Sequence, residues 1–240
     1  LRLGRAGQAL GDSWHSFAYA LSMSTLRSAT PTVRRKTPAD RRQEIIDAAA
    51  AIALTETLNA ITARRVATYV GVGYGLVTHY FSAIDELIAA AFSQVVATER
   101  LAIAHRVGNL PTATERLRET IAAYTSPTRD PLSLLWLDAW RQAADRPVVR
   151  TAVVHQMELD LADMTATIEA GSATGEFRLQ DAPSVVAMRI LALLDGQVAA
   201  SAVRSALADS SLDYPAVEGL LAASTERELG LPHGTLRASQ

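Results

Sequence analysis

Residues 45–81 read IIDAAAAIALTETLNAITARRVATYVGVGYGLVTHYF, and this stretch decides the fold. Ile45, Ala49, Ile52 and Ala53 recur at helical spacing, so an amphipathic helix is predicted over residues 39–56. Thr62 carries the side-chain oxygen that caps a helix start, and a short helix is predicted over 63–69. Gly71 stands where that helix must stop in the left-handed conformation, which glycine adopts at little cost. A second short helix follows over 73–80. Two short helices joined by a turn of three or four residues form a helix-turn-helix, whose second helix enters the DNA major groove.

These residues resemble the N-terminal domain of the TetR (tetracycline-repressor-like) family of bacterial transcription regulators. The resemblance runs over residues 45–92 through EIIDAAAAIA, ITARRVATYVGVGYGLVTHYF and the DELIAAAF that opens a long following helix. In the remainder, WLDAW (136–140), GEFR (175–178) and LLDGQ (193–197) look most like the subgroup of choline-responsive betaine-pathway regulators. The resemblance implies an all-α protein of about nine helices, with a three-helix DNA-binding domain and a helical body for ligand binding and dimerisation. It further implies a homodimer in which the last two long helices of each chain form a four-helix bundle.

Four positions depart from the family pattern. Thr57 stands where glycine usually ends the first helix, and Gly73 replaces a serine or threonine cap. Thr78 replaces a tyrosine that commonly bonds phosphate, and Ile84 replaces a lysine that touches the backbone. Losing phosphate contacts removes affinity rather than sequence reading.

Outward from this core, residues 1–37 read as a basic, flexible tail, poor in periodicity and rich in Gly, Ser, Thr and Arg. Met23 opens a segment that reads like an ordinary start, so residues 1–22 are either an upstream extension or a misassigned start. Arg34, Arg35 and Lys36 form a basic cluster just before the first helix. Two readings stand: an arm lying on phosphates or in the minor groove, or a solvated charge run.

The domain reading is a DNA-binding domain over 38–84 and a body over 85–240. Long helices are predicted over 84–107, from Thr112 through Tyr124, and from the Asp130-Pro131 pair to about Asp145. Others run from Pro147 to the glycines at 171–175, from Pro183 through Leu207, and from Pro215 to Gly230. No segment alternates with period two, so strands are not expected. The helix over 183–207 is apolar around much of its circumference, and Val217, Leu220, Leu221 and Ala222 continue the theme. Such helices need a second partner: another subunit, or the rest of this chain.

Composition sets bounds. The 240 residues are 49% hydrophobic and carry no cysteine, which excludes disulfides and thiolate metal sites. No run approaches an uninterrupted apolar membrane span, no signal peptide is evident, and a cytoplasmic location is expected. The net charge of −2 hides an asymmetry. Residues 1–81 hold ten basic against five acidic residues, and residues 82–240 hold 13 against 20. A basic head on an acidic body suits DNA binding by the head alone.

Candidate DNA contacts are Tyr74, Leu76, Thr78 and His79 on the second short helix and Thr62, Arg64 and Arg65 on the first. Arginine offers paired donors to guanine or phosphate, tyrosine and imidazole bond phosphate, and Leu76 suits a thymine methyl. Arg65 reads equally as an ion-pair partner. Val77, Tyr80 and Phe81 are assigned to the domain's core.

No catalytic constellation, cofactor motif or metal site is expected. GVGYG follows a helix rather than a strand, and no two of the five histidines are four residues apart. The expected partners are a palindromic double-stranded operator and a small-molecule effector, with no membrane. Effector candidates are Trp136 and Trp140, one helical turn apart, with His155, Gln156 and Asp195. The tryptophans read either as core or as part of a cage for a cation. Asp195 lies within an apolar helix, as a partner across an interface or as a ligand anchor. The alternative to a regulator is a helical small-molecule-binding or protein-interaction module with a weakened DNA-binding head.

Overall fold

The structure is a computed structural model that describes residues 36–203 and 214–237. Among these residues it holds nine α-helices and no strand. They are α1 (Pro38–Thr55), α2 (Ala63–Val70), α3 (Tyr74–Tyr80), α4 (Ile84–Val107), α5 (Ala113–Thr125), α6 (Asp130–Ala143), α7 (Pro147–Ala173), α8 (Pro183–Ser201) and α9 (Tyr214–Leu229). The chain divides into two compact units. Among the described residues the first comprises 36–95 and 138–153, the second 96–137, 154–203 and 214–237. The first unit takes in half of α4 and the turn between α6 and α7.

In the first unit, Thr37 caps α1 through a reciprocal capping box with Asp40, and Pro38 sits in the first turn, where its missing N–H costs nothing. The apolar stripe read from the sequence is buried: Ile45, Ala49 and Ile52 have no exposed surface. The helix ends without glycine. Thr57 instead caps a 3₁₀ turn over Leu58–Ala60, accepting from the Ala60 amide, and Leu58 N–H donates to Asp138 at 2.9 Å. A chain-distant carboxylate thus satisfies a donor orphaned at the turn's start.

Two short helices follow. Thr62 accepts from the Arg65 amide at the start of α2. Gly71 ends it at φ 75°, ψ 35°, and the amides of Gly71 and Val72 return to Thr68 and Ala67, a Schellman closure. α4 is long and apolar enough to cross a membrane by length and composition alone, although charged residues interrupt it. Its apolar residues Leu87, Ile88, Ala91, Phe92 and Val95 are core of this unit.

The second unit is built around one core. Leu117 and Ile121 of α5, Met164 and Ile168 of α7, Ile190 and Leu194 of α8 and Leu221 and Leu229 of α9 pack together with Phe177. Gly171 makes this possible, because a Cβ there would lie 2.2 Å from the Phe177 ring. Thr112 and Glu115 form a second capping box at the start of α5. Glu176 adds to it, accepting from the Ala113 and Thr114 amides. Glu226 accepts from the amides of Gly234 and Leu236, which pins the chain end and buries Leu236.

Two boundaries differ from the sequence reading. Asp130 is not the N-cap of α6: it is already helical and follows a 3₁₀ turn over Pro127–Arg129 that Ser126 caps. α8 ends at Ser201 rather than Leu207, and residues 204–213 lie outside the described part.

Candidate DNA interface and ligand site

In the first unit the starts of α2 and α3 meet the start of α4 around an open cleft of about 470 Å³. Its polar lining is Thr62, Arg64, Tyr74, Thr78 and Ser82, above a floor that includes Val77, Phe81 and Leu87. Val77 and Phe81 are buried as expected, and the Arg42 guanidinium stacks 4.7 Å from the Phe81 ring centroid. Tyr74 is 54% exposed. The Arg64 guanidinium has no hydrogen-bond or ion-pair partner among the described residues. Hydroxyls and one unpaired guanidinium on an open, water-facing dish are the donor set that an oxygen anion such as phosphate requires.

Four of the candidates, Thr62, Arg64, Tyr74 and Thr78, therefore share one cleft. The others are placed differently. Arg65 donates through Nε and Nη2 to Glu56, at 3.1 and 2.5 Å, and lies 5.9 Å from the Tyr69 centroid, which favours the ion-pair alternative. The Thr78 hydroxyl turns back onto the Gly75 carbonyl at 3.2 Å. His79 is exposed outside the cleft, edge-on to Tyr80, and Leu76 is half-buried. Lys36 is paired with Glu44, while Arg34 and Arg35 lie outside the described residues.

The second unit holds a polar cluster that sequence reasoning mostly missed. Arg129 is 2% exposed and grips Glu99 through two parallel bonds of 2.6 and 3.0 Å. Its remaining terminal nitrogen donates to Ser133 at 3.3 Å, and its face lies 4.7 Å from the Tyr124 centroid. Arg100 donates to Asp160 at 2.9 and 3.0 Å and to the Gln156 side chain at 3.0 Å. Two signals were readable: the Glu99-Arg100 pair interrupts an apolar helix, and Arg129 precedes a helix-opening Asp-Pro. Neither says which residue each charge meets.

Gln156 is buried in this cluster. Asp195 on α8 is half-buried. Burial first, and the charge of Asp160 second, push its carboxyl up to about 6, against the pull of Arg129. His155 does not join them; it points outward on α7, its side chain 62% exposed, 3.8 Å from Glu158. Trp136 is buried and Trp140 half-buried. The unit boundary at residue 138 falls between them, so neither unit contains both indoles.

No protein-family model and no curated protein matches the chain. Solved structures do share its fold. A TetR transcription regulator from Haloarcula marismortui superposes with a TM-score of 0.65 at 19% identity, over 80% of this chain and 99% of that one. A transcriptional regulator from Saccharomonospora viridis in complex with choline gives 0.65 at 17% identity, over 80% and 98%. The regulator FadR from Bacillus subtilis in complex with stearoyl-CoA gives 0.59 at 18% identity, over 80% and 99%. The chain has the TetR-like all-helical fold.

Proposed function

We propose that this protein is a DNA-binding transcription regulator, not an enzyme, that acts in the cytoplasm as a homodimer on a palindromic operator and is released by a small-molecule effector bound in its helical body. The observation that carries this reading is the cleft of Thr62, Arg64, Tyr74 and Thr78 on the open side of a helix-turn-helix. Two such heads related by a two-fold axis match inverted half-sites in successive major grooves. Exposed Val185 and Met188 on α8 and Leu220 on α9 supply apolar surface for the second subunit. The fold-sharing structures solved with choline and with stearoyl-CoA support an effector-bound state. An effector that prefers the conformation DNA disfavours lowers operator affinity by linkage.

A second reading is a helical ligand-binding module with a weakened head. It draws on the Thr78 hydroxyl turned into its own helix and on Ile84, 37% exposed where the resembling family has a lysine. Selection of bound duplexes from a random pool at low salt separates the two. An enriched inverted repeat whose binding weakens steeply with salt is the expected result. Failure to enrich any palindrome overturns the regulator reading and leaves the module.

A further inference from the structure

Resting on the regulator reading, we infer that Gly75 is a specificity-determining position of α3: its bare α-carbon seats against the 5-methyl group of a thymine in the operator's major groove.

Among the described residues four glycines lie inside helices, where glycine is a poor former and calls for a cause. Gly171 has its cause within the chain, since the Phe177 ring occupies the place of a side chain. Gly75 has none there. A Cβ on it would meet nothing within 4 Å, and its φ is not in the left-handed region. Gly196 on α8 and Gly219 on α9 are open and exposed in the same way. Those two helices also carry the exposed Val185, Met188 and Leu220 that the regulator reading gives to a second subunit. A helical glycine that nothing inside the chain requires fits a face where another molecule comes close to the backbone.

The place of Gly75 on α3 says which molecule. Val77 is buried. Gly75 and His79 stand two residues to either side of it, so at about 100° per residue they fall roughly opposite the core, one turn apart. Both are exposed. Gly75 thus lies on the outer face of the reading helix, in its first turn, the part that meets base edges. α3 reads YGLVTHY and holds no Arg, Lys, Asn or Gln, the side chains that grip a purine edge through two bonds. The Thr78 hydroxyl is turned onto the Gly75 carbonyl at 3.2 Å. Beside His79, this face therefore offers the Gly75 α-carbon and the half-buried Leu76. The apolar group that DNA presents in its major groove is the thymine methyl. With no Cβ between them, the α3 backbone reaches van der Waals contact with that methyl, and an alanine would claim the same volume.

The test uses the full chain and the inverted repeat that it selects from random duplexes, with affinity read by fluorescence anisotropy at fixed salt. Each thymine is replaced in turn, in both half-sites together, by uracil, which pairs identically and lacks only the methyl. At one position uracil is expected to weaken the parent by about threefold, the worth of one buried methyl. Gly75→Ala is expected to keep or raise Tm and to weaken binding to the thymine duplex by about tenfold through overpacking. At that same position it should bind the uracil duplex more tightly than the thymine duplex, the reverse of the parent. The reversal decides the matter even if Tm falls, because the change that relieves the loss is in the DNA and not in the protein. The inference is overturned if Gly75→Ala binds the thymine operator as the parent does, if no uracil relieves its loss, or if the selected half-site holds no thymine. In each of these cases the selected palindrome leaves the regulator reading standing. A parent that enriches no inverted repeat strikes the regulator reading itself, and this inference with it.

Discussion

Two arginine–glutamate pairs, one in each unit, show how differently this fold uses the same chemistry. In the head, Arg65 donates to one oxygen of Glu56, with the two side chains 41% and 38% exposed. In the body, Arg129 takes both oxygens of Glu99, at 2% and 5%. The exposed pair gives up little water and gains little, about 0–1 kcal/mol. The buried pair has surrendered its hydration, so each ion depends on the other. The head keeps the polar groups of its cleft at a water-facing surface, where they can be exchanged for a phosphate. The body locks the Glu99–Arg129 pair inside and holds Asp195 half-buried, with no hydrogen bond or ion pair among the described residues.

The sharpest way to break this comparison is to remove one arginine from each pair. Arg129→Met should cost about 3–5 kcal/mol in urea denaturation, because it strands the Glu99 charge, whereas Arg65→Met should cost under about 1 kcal/mol. Equal losses would show that the two environments do not differ as described. Next in size is Gly171→Ala in the body core. The added methyl would meet the Phe177 ring, and overpacking of this kind costs about 1–3 kcal/mol. An unchanged denaturation midpoint would mean that Phe177 has room to move.

Within the head, Arg64 and Arg65 are neighbours with opposite predicted roles. Arg64→Ala should weaken binding to a selected operator by about 1–3 kcal/mol if it touches a base edge. If it touches phosphate, affinity falls for all sequences and the salt slope drops by about one. Arg65→Ala should do markedly less to DNA binding, its guanidinium being held by Glu56. A larger effect at Arg65, read by fluorescence anisotropy, would reverse the assignment.

The smallest effects concern two carboxyls of the body whose ionisation is displaced in opposite directions. Asp195 is raised to about 6, with Asp160 and Arg129 the charges that act on it. The fold therefore favours its protonated form, and ionisation costs stability as pH rises from about 4 through 6. Asp195→Asn should be more stable than the parent at pH 7.5 by about 1 kcal/mol after allowance for its partial exposure, with the gap closing by pH 4. Glu176 behaves oppositely. Its burial works against ionisation, but hydrogen bonds from Thr114, Ala113 and Thr174 outweigh that and hold it at about 2. Its contribution is present at neutral pH and fades as pH falls from about 4.5 towards 2, so Glu176→Gln should lower Tm at pH 7 and not at pH 2. Melting curves across this range that show no crossover would discount both placements.

By itself, the sequence determined the local features. Thr62, Gly71 and Thr112 act on amides and carbonyls within a few residues of themselves, so their caps were readable in order, and the helix bounds at 63–70, 84–107 and 113–125 were readable to within a residue. The helix-turn-helix and four residues of its cleft were legible for the same reason: the motif is short, and its open face follows from which positions pack inward. Only the tertiary structure decided what depends on partners far apart in the chain. It gave Leu58 its cap from Asp138, paired Glu99 with Arg129 and Arg100 with Asp160, turned His155 outward and set Asp195 half-buried under the influence of Asp160 and Arg129. Helical periodicity says which face of a helix is buried, but not which charge on another helix it will meet. For a buried ion that meeting decides almost everything, because the low-dielectric interior offers no water in its place.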